Sequence, residues 1–410
     1  MGTAHRPRTD PEAERLFQEI MLDPLHADPY SGYRRLRERA PVLLTSDGTL
    51  VLTRHADCDA ALRHRSLGKG GELLGFDLTA VSRDELFLSL RMVQDSMLFA
   101  NPPDHTRLRR LVSSAFAGRH VEALRAAVGA RVDACLDALA GRPGGNFVEE
   151  VALVLPGAVI ADLLGLPEED HAALLPLVRD LGAVYQPGSA PEALDRALSA
   201  QTTLIDYLAG LLKTKRAHPE DDLLSRLAAS RADDALTEAE MVETAFLLFG
   251  AGSETTTHLL GNALHALFTH PDQFARLLAD PSLAPGAVEE FLRYDTPVQV
   301  DARSVLEPAY FLGAELEPGQ VVLTLLGAAG RDPAQHREPD RLDLTRATPH
   351  LAFAAGPHFC LGSHLARLEA EVFLRRLVTR YPRCAPAGPP VRSTSLVFRG
   401  FTELPVTLAP

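Results

Sequence analysis

The segment Phe353-Ala-Ala-Gly-Pro-His-Phe-Cys-Leu-Gly362 places a cysteine, Cys360, directly before a strongly helical stretch from Ser363 to Tyr381. The amino end of that helix offers unpaired backbone N–H groups and the positive end of the helix dipole, and both favour a thiolate over a thiol. Gly356 and Gly362 flank the cysteine, where a missing Cβ allows a tight turn and the close approach of a large flat ligand. The alternative is a reduced, buried structural cysteine, the usual state of a lone cysteine.

A second informative segment is a long apolar helix predicted from Thr237 to His270, with a capping box formed by Thr237 and Glu240. At about 1.5 Å per residue it would span roughly 50 Å, so it must cross the core. Its centre, Phe249-Gly-Ala-Gly-Ser-Glu-Thr-Thr-Thr257, breaks the apolar pattern with glycines, a carboxylate and threonines. Threonine hydroxyls can bond back to the carbonyl four residues earlier. Such a breach indicates function, although helix-packing glycines beside a solvated face would give the same pattern.

Composition predicts a soluble globular protein. The chain has 410 residues, of which 46% are hydrophobic and 23% charged. A formal net charge of −13 argues against non-specific binding to nucleic acid or to an anionic membrane. The four cysteines, Cys58, Cys135, Cys360 and Cys384, show neither CxxC spacing nor a disulfide-like framework. The polar segment from Met1 to Glu19 lacks the apolar core of a signal peptide or membrane anchor, and we therefore expect a cytoplasmic location.

The periodicity predicts a mainly α fold with small β-sheets. Helices are predicted near 119–140, 149–165, 192–216 and 221–229, and around Leu108 to Phe116 with Gly118 as the stop. Hairpins are predicted from Pro41 to Thr53, turning at Asp47-Gly48, and from Tyr310 to Leu326, turning at Pro318-Gly319, with an extended pair around Gly400. Two segments are irregular and could gate a pocket: Ser66 to Asn101 and Asp180 to Pro191. No linker divides the chain, so we expect one domain over residues 1–410, with residues 1–20 partly flexible.

The cysteine segment resembles the haem-ligating loop of the cytochrome P-450 family, Phe-x-x-Gly-x-x-x-Cys-x-Gly. The helix interruption is similar to the oxygen-binding groove of that family at Ala251, Gly252, Glu254, Thr255 and Thr256. The resemblance runs from near Pro29 to the carboxyl terminus. It implies the cytochrome P-450 fold, with a long central helix over the haem. It also implies that Cys360 ligates the iron of haem b and that Glu254 and Thr255 deliver protons for O–O cleavage.

The resemblance also implies the residues around the cofactor. The haem propionates would be bound by His105, Arg109, Arg303 and His358, and the haem would further contact Ala251, Gly252, Phe353, Gly356 and Gly362. Glu290, Arg293 and Arg341 would form a buried structural ion-pair triad. The sequence departs from the family pattern at three places: Ala354 and Gly330 replace a glycine and an asparagine, and Asn101 replaces an aspartate.

The substrate pocket is predicted from family positions, although core packing explains any one of its residues equally well. The candidates are Phe246, Phe249, Val298, Val300, Asp301, Phe398 and Phe401. Asp301 is the odd member. It could orient a basic or hydroxylated group of the substrate, and the alternative is a surface ion pair.

The resemblance implies a bacterial-type haem-thiolate monooxygenase. It would hydroxylate or epoxidise a medium-to-large, mostly apolar molecule of the secondary-metabolite kind, using O2 and electrons from a ferredoxin and its reductase. We expect a monomer. A ferredoxin could dock on a basic patch formed by Arg107, Arg110, Arg367 and Arg375. An enzyme of the same fold that performs coupling, ring formation or nitration would share every motif. A silent accessory protein would be expected to lose the cysteine or the acid–threonine pair, and a non-haem helical protein would show no Soret band.

Overall fold

The structure, a computed structural model, describes residues 9–22, 28–70, 96–182, 190–229, 236–395 and 397–410. Within these ranges the chain is mainly helical with small sheets, as predicted. The α-helices are α1 Pro11–Leu22, α2 Tyr30–Arg39, α3 His55–Arg63, α4 Asp104–Ser113, α5 Gly118–Ala123, α6 Arg125–Ala140, α7 Val154–Leu164, α8 Glu168–Leu181, α9 Pro191–Ala217, α10 Leu223–Ala229, α11 Glu238–Thr269, α12 Pro271–Ala279, α13 Ala284–Tyr294, α14 Leu326–Ala329 and α15 Ser363–Arg380. A π-helical turn, Val148–Ala152, precedes α7.

The strands are short. They are β1 Val42–Leu44, β2 Leu50–Leu52, β3 Leu67–Gly68, β4 Gly145–Asn146, β5 Val300–Val305, β6 Ala309–Phe311, β7 Ala314–Leu316, β8 Val321–Leu325, β9 Ala385–Pro386, β10 Val391–Arg392, β11 Phe401–Glu403 and β12 Pro405–Thr407. The largest sheet has the order β1-β2-β8-β5-β3, in which β2 and β8 are parallel and the other neighbours antiparallel. β1 and β2 form the hairpin predicted at Asp47-Gly48, and β10 pairs with β11 as expected.

The second predicted hairpin is wrong in its pairing. β6 pairs with β7 across Leu312-Gly313, whereas Pro318-Gly319 leads from β7 to β8 in another sheet. Every residue of β8 is buried, while Tyr310 in the small β6–β7 hairpin is 68% exposed. The apolar run of β8 therefore buries more surface at the centre of the large sheet than it would beside β7. The stop at Gly118 is also wrong, because α4 ends at Ser113 and Gly118 begins α5.

The long helix α11 begins as predicted. Glu240 N–H donates to Thr237 Oγ1 and Thr237 N–H donates to Glu240 Oε2, which completes the capping box. At about 1.5 Å per residue, its 32 residues span roughly 48 Å. The polar centre shows the expected back-bonding: Ser253 Oγ donates to Phe249 O at 2.7 Å and Thr255 Oγ1 donates to Ala251 O at 2.9 Å. α11 thus stays helical through its interruption and crosses the main hydrophobic core.

A buried ion-pair network joins α13 to the segment before the cysteine. Glu290 and Arg293 pair as predicted, with Arg293 Nε 2.7 Å from Glu290 Oε2. The third member is not Arg341 but Arg346, whose Nε lies 3.1 Å from Glu290 Oε1. Arg341 is 59% exposed and pairs with Glu338 at the surface. The backbone carbonyl of Arg341, however, accepts from Arg293 Nη2, so residue 341 contacts the pair through its backbone while Arg346 supplies the charge.

A second buried cluster ties the two ends of the chain to α11. Asp295 Oδ1 accepts from Tyr30 Oη at 2.7 Å and from Arg399 Nε at 2.6 Å, and Asp295 Oδ2 accepts from Arg392 Nη1 at 3.2 Å. Asn262 of α11 donates Nδ2–H bonds to the carbonyls of Asp295 and Arg399. The segment near the carboxyl terminus is therefore fixed against the central helix.

Several expectations concern segments that are described only in part. Residues 71–95 and 183–189, the larger parts of the two predicted irregular segments, lie outside the described residues. Of residues 1–20, which we expected to be partly flexible, residues 11–20 belong to α1 and bury Ala13, Leu16 and Ile20, and residues 1–8 lie outside the described part. None of the helices in the described ranges combines the length and apolar character needed to cross a bilayer.

The ion-pair network leads to a prediction. We expect Arg346→Met to lower the free energy of unfolding by about 2 kcal/mol, because Glu290 would lose a charged hydrogen-bond partner in the core. Arg341→Met is the matched control and should cost less than about 0.5 kcal/mol, since its guanidinium is exposed. Urea unfolding followed by far-UV circular dichroism measures both. Equal losses of unfolding free energy in the two variants would contradict the assignment of Arg346, rather than Arg341, as the third member of the network.

Candidate active site

One cavity of about 440 Å³ is lined by both sequence motifs. The polar interruption of α11 and the segment around Cys360, far apart in sequence, meet across it. Most of the predicted site residues line this cavity: Cys360, Glu254, Thr255, His105, Arg109, Ala251, Gly252, Arg303, Phe353, His358, Gly362, Phe246, Val298, Val300, Asp301 and Phe398. Gly250 of α11 also lines the cavity, and a Cβ built on it would meet no atom of the described residues within 4 Å.

Three predicted site residues do not line the cavity. Gly356 instead packs against α3, where its φ of +71° and a Cβ that would lie 2.4 Å from Leu62 O both require glycine. Phe249 and Phe401 are 1% and 2% exposed and belong to the main core. On α11, Phe246, Gly250 and Glu254 follow one another at the i,i+4 spacing of a single face, and Phe249 falls outside that row.

Cys360 is held by its own backbone at the amino end of α15. Its N–H donates to Phe353 O at 2.9 Å, which closes the loop. Burial raises the pKa of the Cys360 thiol, while the backbone N–H of Gly362 and the Arg109 guanidinium act in the opposite direction. The helix end therefore favours the thiolate as predicted, but it does not outweigh burial. A cation bound at this sulfur would favour the thiolate.

Four predicted propionate ligands converge at one end of the cavity. The rings of His105 and His358 lie 4.1 Å apart between centroids, and burial lowers the pKa of both, that of His358 to about 3. Arg109 Nη2 donates to Phe359 O at 2.6 Å. Arg303 is 1% exposed, and its Nη2 is buried with no hydrogen-bond acceptor among the described residues.

These residues fit a haem. A thiol sulfur stands at a helix amino end on one side of the cavity, and apolar side chains form much of the wall. Cationic and imidazole groups gather where two carboxylates would need partners. The orphaned Nη2 of Arg303 is the sharpest indication, because a buried guanidinium N–H without an acceptor is costly.

The predicted proton-delivery pair lies across the cavity from Cys360. Burial raises the pKa of Glu254 to about 7, and within the described residues it has no ion-pair or hydrogen-bond partner. Its Oε1 would lie 3.3 Å from a Cβ on Gly182, which places it beside the end of α8. Thr255 presents a hydroxyl whose own hydrogen bond returns to the helix. A carboxyl group titrating near neutral pH can both accept and release a proton.

Asp301 is neither a free anchor nor part of a surface ion pair. Its Oδ1 accepts from Lys69 Nζ at 2.8 Å and from Arg303 Nη1 at 2.6 Å. Although burial raises the pKa of Asp301, Lys69 and Arg303 lower it overall. A carboxylate already shared by two cations has little capacity left for a basic group of the substrate.

Sequence reasoning missed three charged residues that line the cavity: Lys69, Glu243 and Glu369. Glu369 is 1% exposed, its Oε2 has no hydrogen-bond partner among the described residues, and burial raises its pKa to about 8. The sequence contained a signal for Glu369: it is a charged residue on the same face of α15 as the apolar residues Leu365 and Phe373. Lys69 carried no such signal, since its partner Asp301 is distant in sequence.

The predicted basic docking patch is largely neutralised. Arg107 pairs with Glu240, Arg367 lies 2.6 Å from Glu289 and Arg375 lies 2.8 Å from Glu371. Three of the four arginines thus have carboxylate partners, which reduces the net positive charge of the predicted patch.

Comparisons with known proteins point to a single family. The sequence model described as Cytochrome P450 matches residues 82–395. Cytochrome P450 107B1 of Saccharopolyspora erythraea is 38% identical, over 94% of this chain and 96% of that protein. Vitamin D(3) 25-hydroxylase of Pseudonocardia autotrophica is 37% identical, over 93% and 94%. The crystal structure of ligand-free Mycobacterium smegmatis CYP164A2 superimposes with a TM-score of 0.85 at 38% identity, over 96% of this chain and 100% of that one.

The environment of Glu369 predicts a pH dependence. Its folded pKa of about 8 lies above the ordinary value of 4.5, so the folded protein binds the proton more tightly than the unfolded chain. Its contribution to stability is therefore complete below about pH 4.5 and is lost as pH rises through about 8. We therefore expect the free energy of unfolding of Glu369→Gln, relative to that of the parent, to be larger at pH 8.5 than at pH 5. Urea unfolding at the two pH values measures this difference. A difference between variant and parent that stays constant with pH would contradict the assignment.

Proposed function

Because this chain belongs to the cytochrome P450 family and is a P450 monooxygenase, we propose that it hydroxylates or epoxidises a medium-to-large, mostly apolar organic molecule. The observation that carries the proposal is the single cavity in which Cys360, the pair Glu254 and Thr255, and an apolar wall come together. The family implies a haem with cysteine-thiolate ligation of its iron, and it implies O2 and redox partners. We propose haem b, held by Cys360.

The proposed cofactor contacts follow from the cavity. His105, Arg109, Arg303 and His358 bind the two propionates, and the unsatisfied Arg303 Nη2 gains an acceptor there. Ala251 and Gly252 keep the cavity face of α11 free of bulk and would leave room for the haem, and Gly252 also packs against Ile160 of α7. Phe353 and Gly362 line the cavity on the cysteine side. When bound, the haem activates O2 so that one oxygen atom enters the substrate.

With a haem bound, Glu254 would hold the proton that oxygen activation consumes, and Thr255 would relay it. Glu254 takes up a proton readily near pH 7 because burial has already raised its pKa to about that value. Thr255 lines the cavity, and its Oγ–H donates to the helix carbonyl of Ala251, so its oxygen can accept a hydrogen bond from a proton donor such as the Glu254 carboxyl group or a water molecule. A donor that titrates near the working pH transfers protons most efficiently.

The substrate is bound chiefly by apolar contact. Phe246, Val298, Val300 and Phe398 line the cavity and remain our candidates for substrate contacts, whereas Phe249 and Phe401 leave the set. The similarity to Vitamin D(3) 25-hydroxylase supports a bulky apolar substrate and a hydroxylation.

We propose a ferredoxin and its reductase as the electron donors. The proposed entry face is the surface around Phe359, which is 40% exposed and directly precedes Cys360. Turnover with a surrogate ferredoxin system, on ligands selected by a Soret shift, tests the function as a whole. Incorporation of one ¹⁸O atom from ¹⁸O2 into the product is expected. Coupled, ring-closed or nitrated products without that label would assign one of the alternative reactions.

The thiolate assignment has its own prediction. Reduced parent protein treated with carbon monoxide should show the red-shifted absorbance of a thiolate adduct. Cys360→Ala should lose that band, whereas Cys384→Ala, which removes a buried thiol outside the cavity, should keep it. A band that survives in Cys360→Ala would overturn the proposed ligand.

The proton-delivery assignment predicts a loss of coupling. Glu254→Gln should lower product formation about 100-fold, because it removes an acid–base group of suitable pKa, while substrate binding measured by the Soret shift stays within about 2-fold of the parent. Glu243→Gln is the matched control, since Glu243 is also a carboxylate on α11 that lines the cavity. Product formed per electron pair consumed is the measurement. An equal loss in both variants would assign the effect to cavity charge rather than to proton transfer.

A further inference from the structure

Lys69 is a buried cation at the propionate end of the cavity. Its side chain is 10% exposed, and its Nζ donates to Asp301 Oδ1 at 2.8 Å and to Ala302 O at 3.2 Å. Asp301 Oδ1 also accepts from Arg303 Nη1 at 2.6 Å, so one carboxylate oxygen holds two cations side by side. An ammonium has three N–H groups, and these two contacts use two of them.

The backbone of Lys69 is clamped by Asn101. Lys69 N–H donates to Asn101 Oδ1 at 2.8 Å, and Asn101 Nδ2 donates to Lys69 O at 2.6 Å. A carboxamide can both accept and donate in this way, whereas the aspartate that is frequent at this position could only accept. The departure at Asn101 therefore fixes the point from which the Lys69 side chain enters the cavity.

Among the described residues, the charges at this end of the cavity do not balance without a ligand. Lys69, Arg109 and Arg303 are cationic, and Asp301 is the carboxylate that contacts two of them. These described side chains leave an excess of two positive charges. Lys69 and Arg303 are largely removed from water, Arg109 is partly buried, and Arg303 Nη2 has no acceptor among the described residues. Buried cations are stable only when anions face them. A dicarboxylate bound here would neutralise the two excess positive charges.

We propose that Lys69 is a third cationic ligand of the haem carboxylates, positioned by Asn101 and held beside Arg303 by their shared Asp301. The inference rests on the proposed function, since it assumes a haem in this cavity. It adds a residue that the family motifs do not contain. Lys69 donates its remaining N–H to a propionate, and Asp301 keeps the two cations from separating when that propionate is absent.

The test is haem retention, which does not depend on turnover. Haem transfer from each holoprotein to excess apomyoglobin should be about 10-fold faster for Lys69→Met than for the parent, because one charge-assisted contact is lost. Lys69→Arg should stay within about 2-fold of the parent, since it keeps the charge. Lys213→Met is the matched control, because it removes an exposed lysine outside the cavity.

Haem dimethyl ester makes the test specific for the carboxylates. Parent and Lys69→Met reconstituted with this ester should lose it at equal rates, because no propionate charge remains for Lys69 to bind. Asn101→Asp should give an intermediate rate with haem, since the lysine remains but its clamp is weakened.

Equal haem-loss rates in Lys69→Met and the parent would overturn the inference. A difference in loss rate between Lys69→Met and the parent that persists with the dimethyl ester would also overturn it, because Lys69 would then have a purely structural role. A change confined to the affinity for carboxylate-bearing ligands would also overturn it and assign Lys69 to the substrate. The carbon monoxide spectrum of the parent reports separately on the proposed function, so the two failures are distinguishable.

Discussion

The position of one sulfur atom constrains much of this structure. Cys360 reaches the cavity because its N–H is bonded to Phe353 O and because Gly356 lets the loop lie directly on the backbone of α3. The protein alone favours the neutral thiol, since burial outweighs the helix end. Sulfur, helix and loop are thus assembled in advance, and in the proposed function the charge of the haem iron would complete the site.

Local patterns were predictable from the sequence, and long-range partners were not. The capping box of α11 and the back-bonding of its hydroxyls depend on residues three or four apart, and both were found. The pairing of β8 and the identity of the third arginine depend on tertiary neighbours. Arg341 and Arg346 are both close to Glu290 in the folded chain, and only packing decides which guanidinium is buried. The same difference holds in the site. The residues of the two sequence motifs line the cavity, whereas Phe249 and Phe401, which were chosen from family positions, lie in the main core.

The three departures from the family pattern each have a local physical reason or cost. Gly330 lies against Arg293 O, where a Cβ would come within 2.5 Å, so this chain requires glycine there. Asn101 bonds both backbone groups of Lys69, which an aspartate could not do. Ala354 adopts φ +56°, a left-handed conformation that costs an alanine about 1 kcal/mol and that a glycine would adopt freely. Gly330 and Asn101 thus each fit their surroundings, whereas Ala354 holds a strained backbone conformation.

The Asp295 cluster has a consequence for the shape of the pocket. Arg399, which it anchors, directly follows Phe398, a wall residue of the cavity, whereas neither Asp295 nor Asn262 lines that cavity. A change at Tyr30 or Arg392 would therefore shift an aromatic wall without touching any ligand. Selectivity in this enzyme is open to tuning from Tyr30 in α2 and Arg392 in β10, and a search for variants with altered regiochemistry should sample those positions as well as the residues that line the cavity.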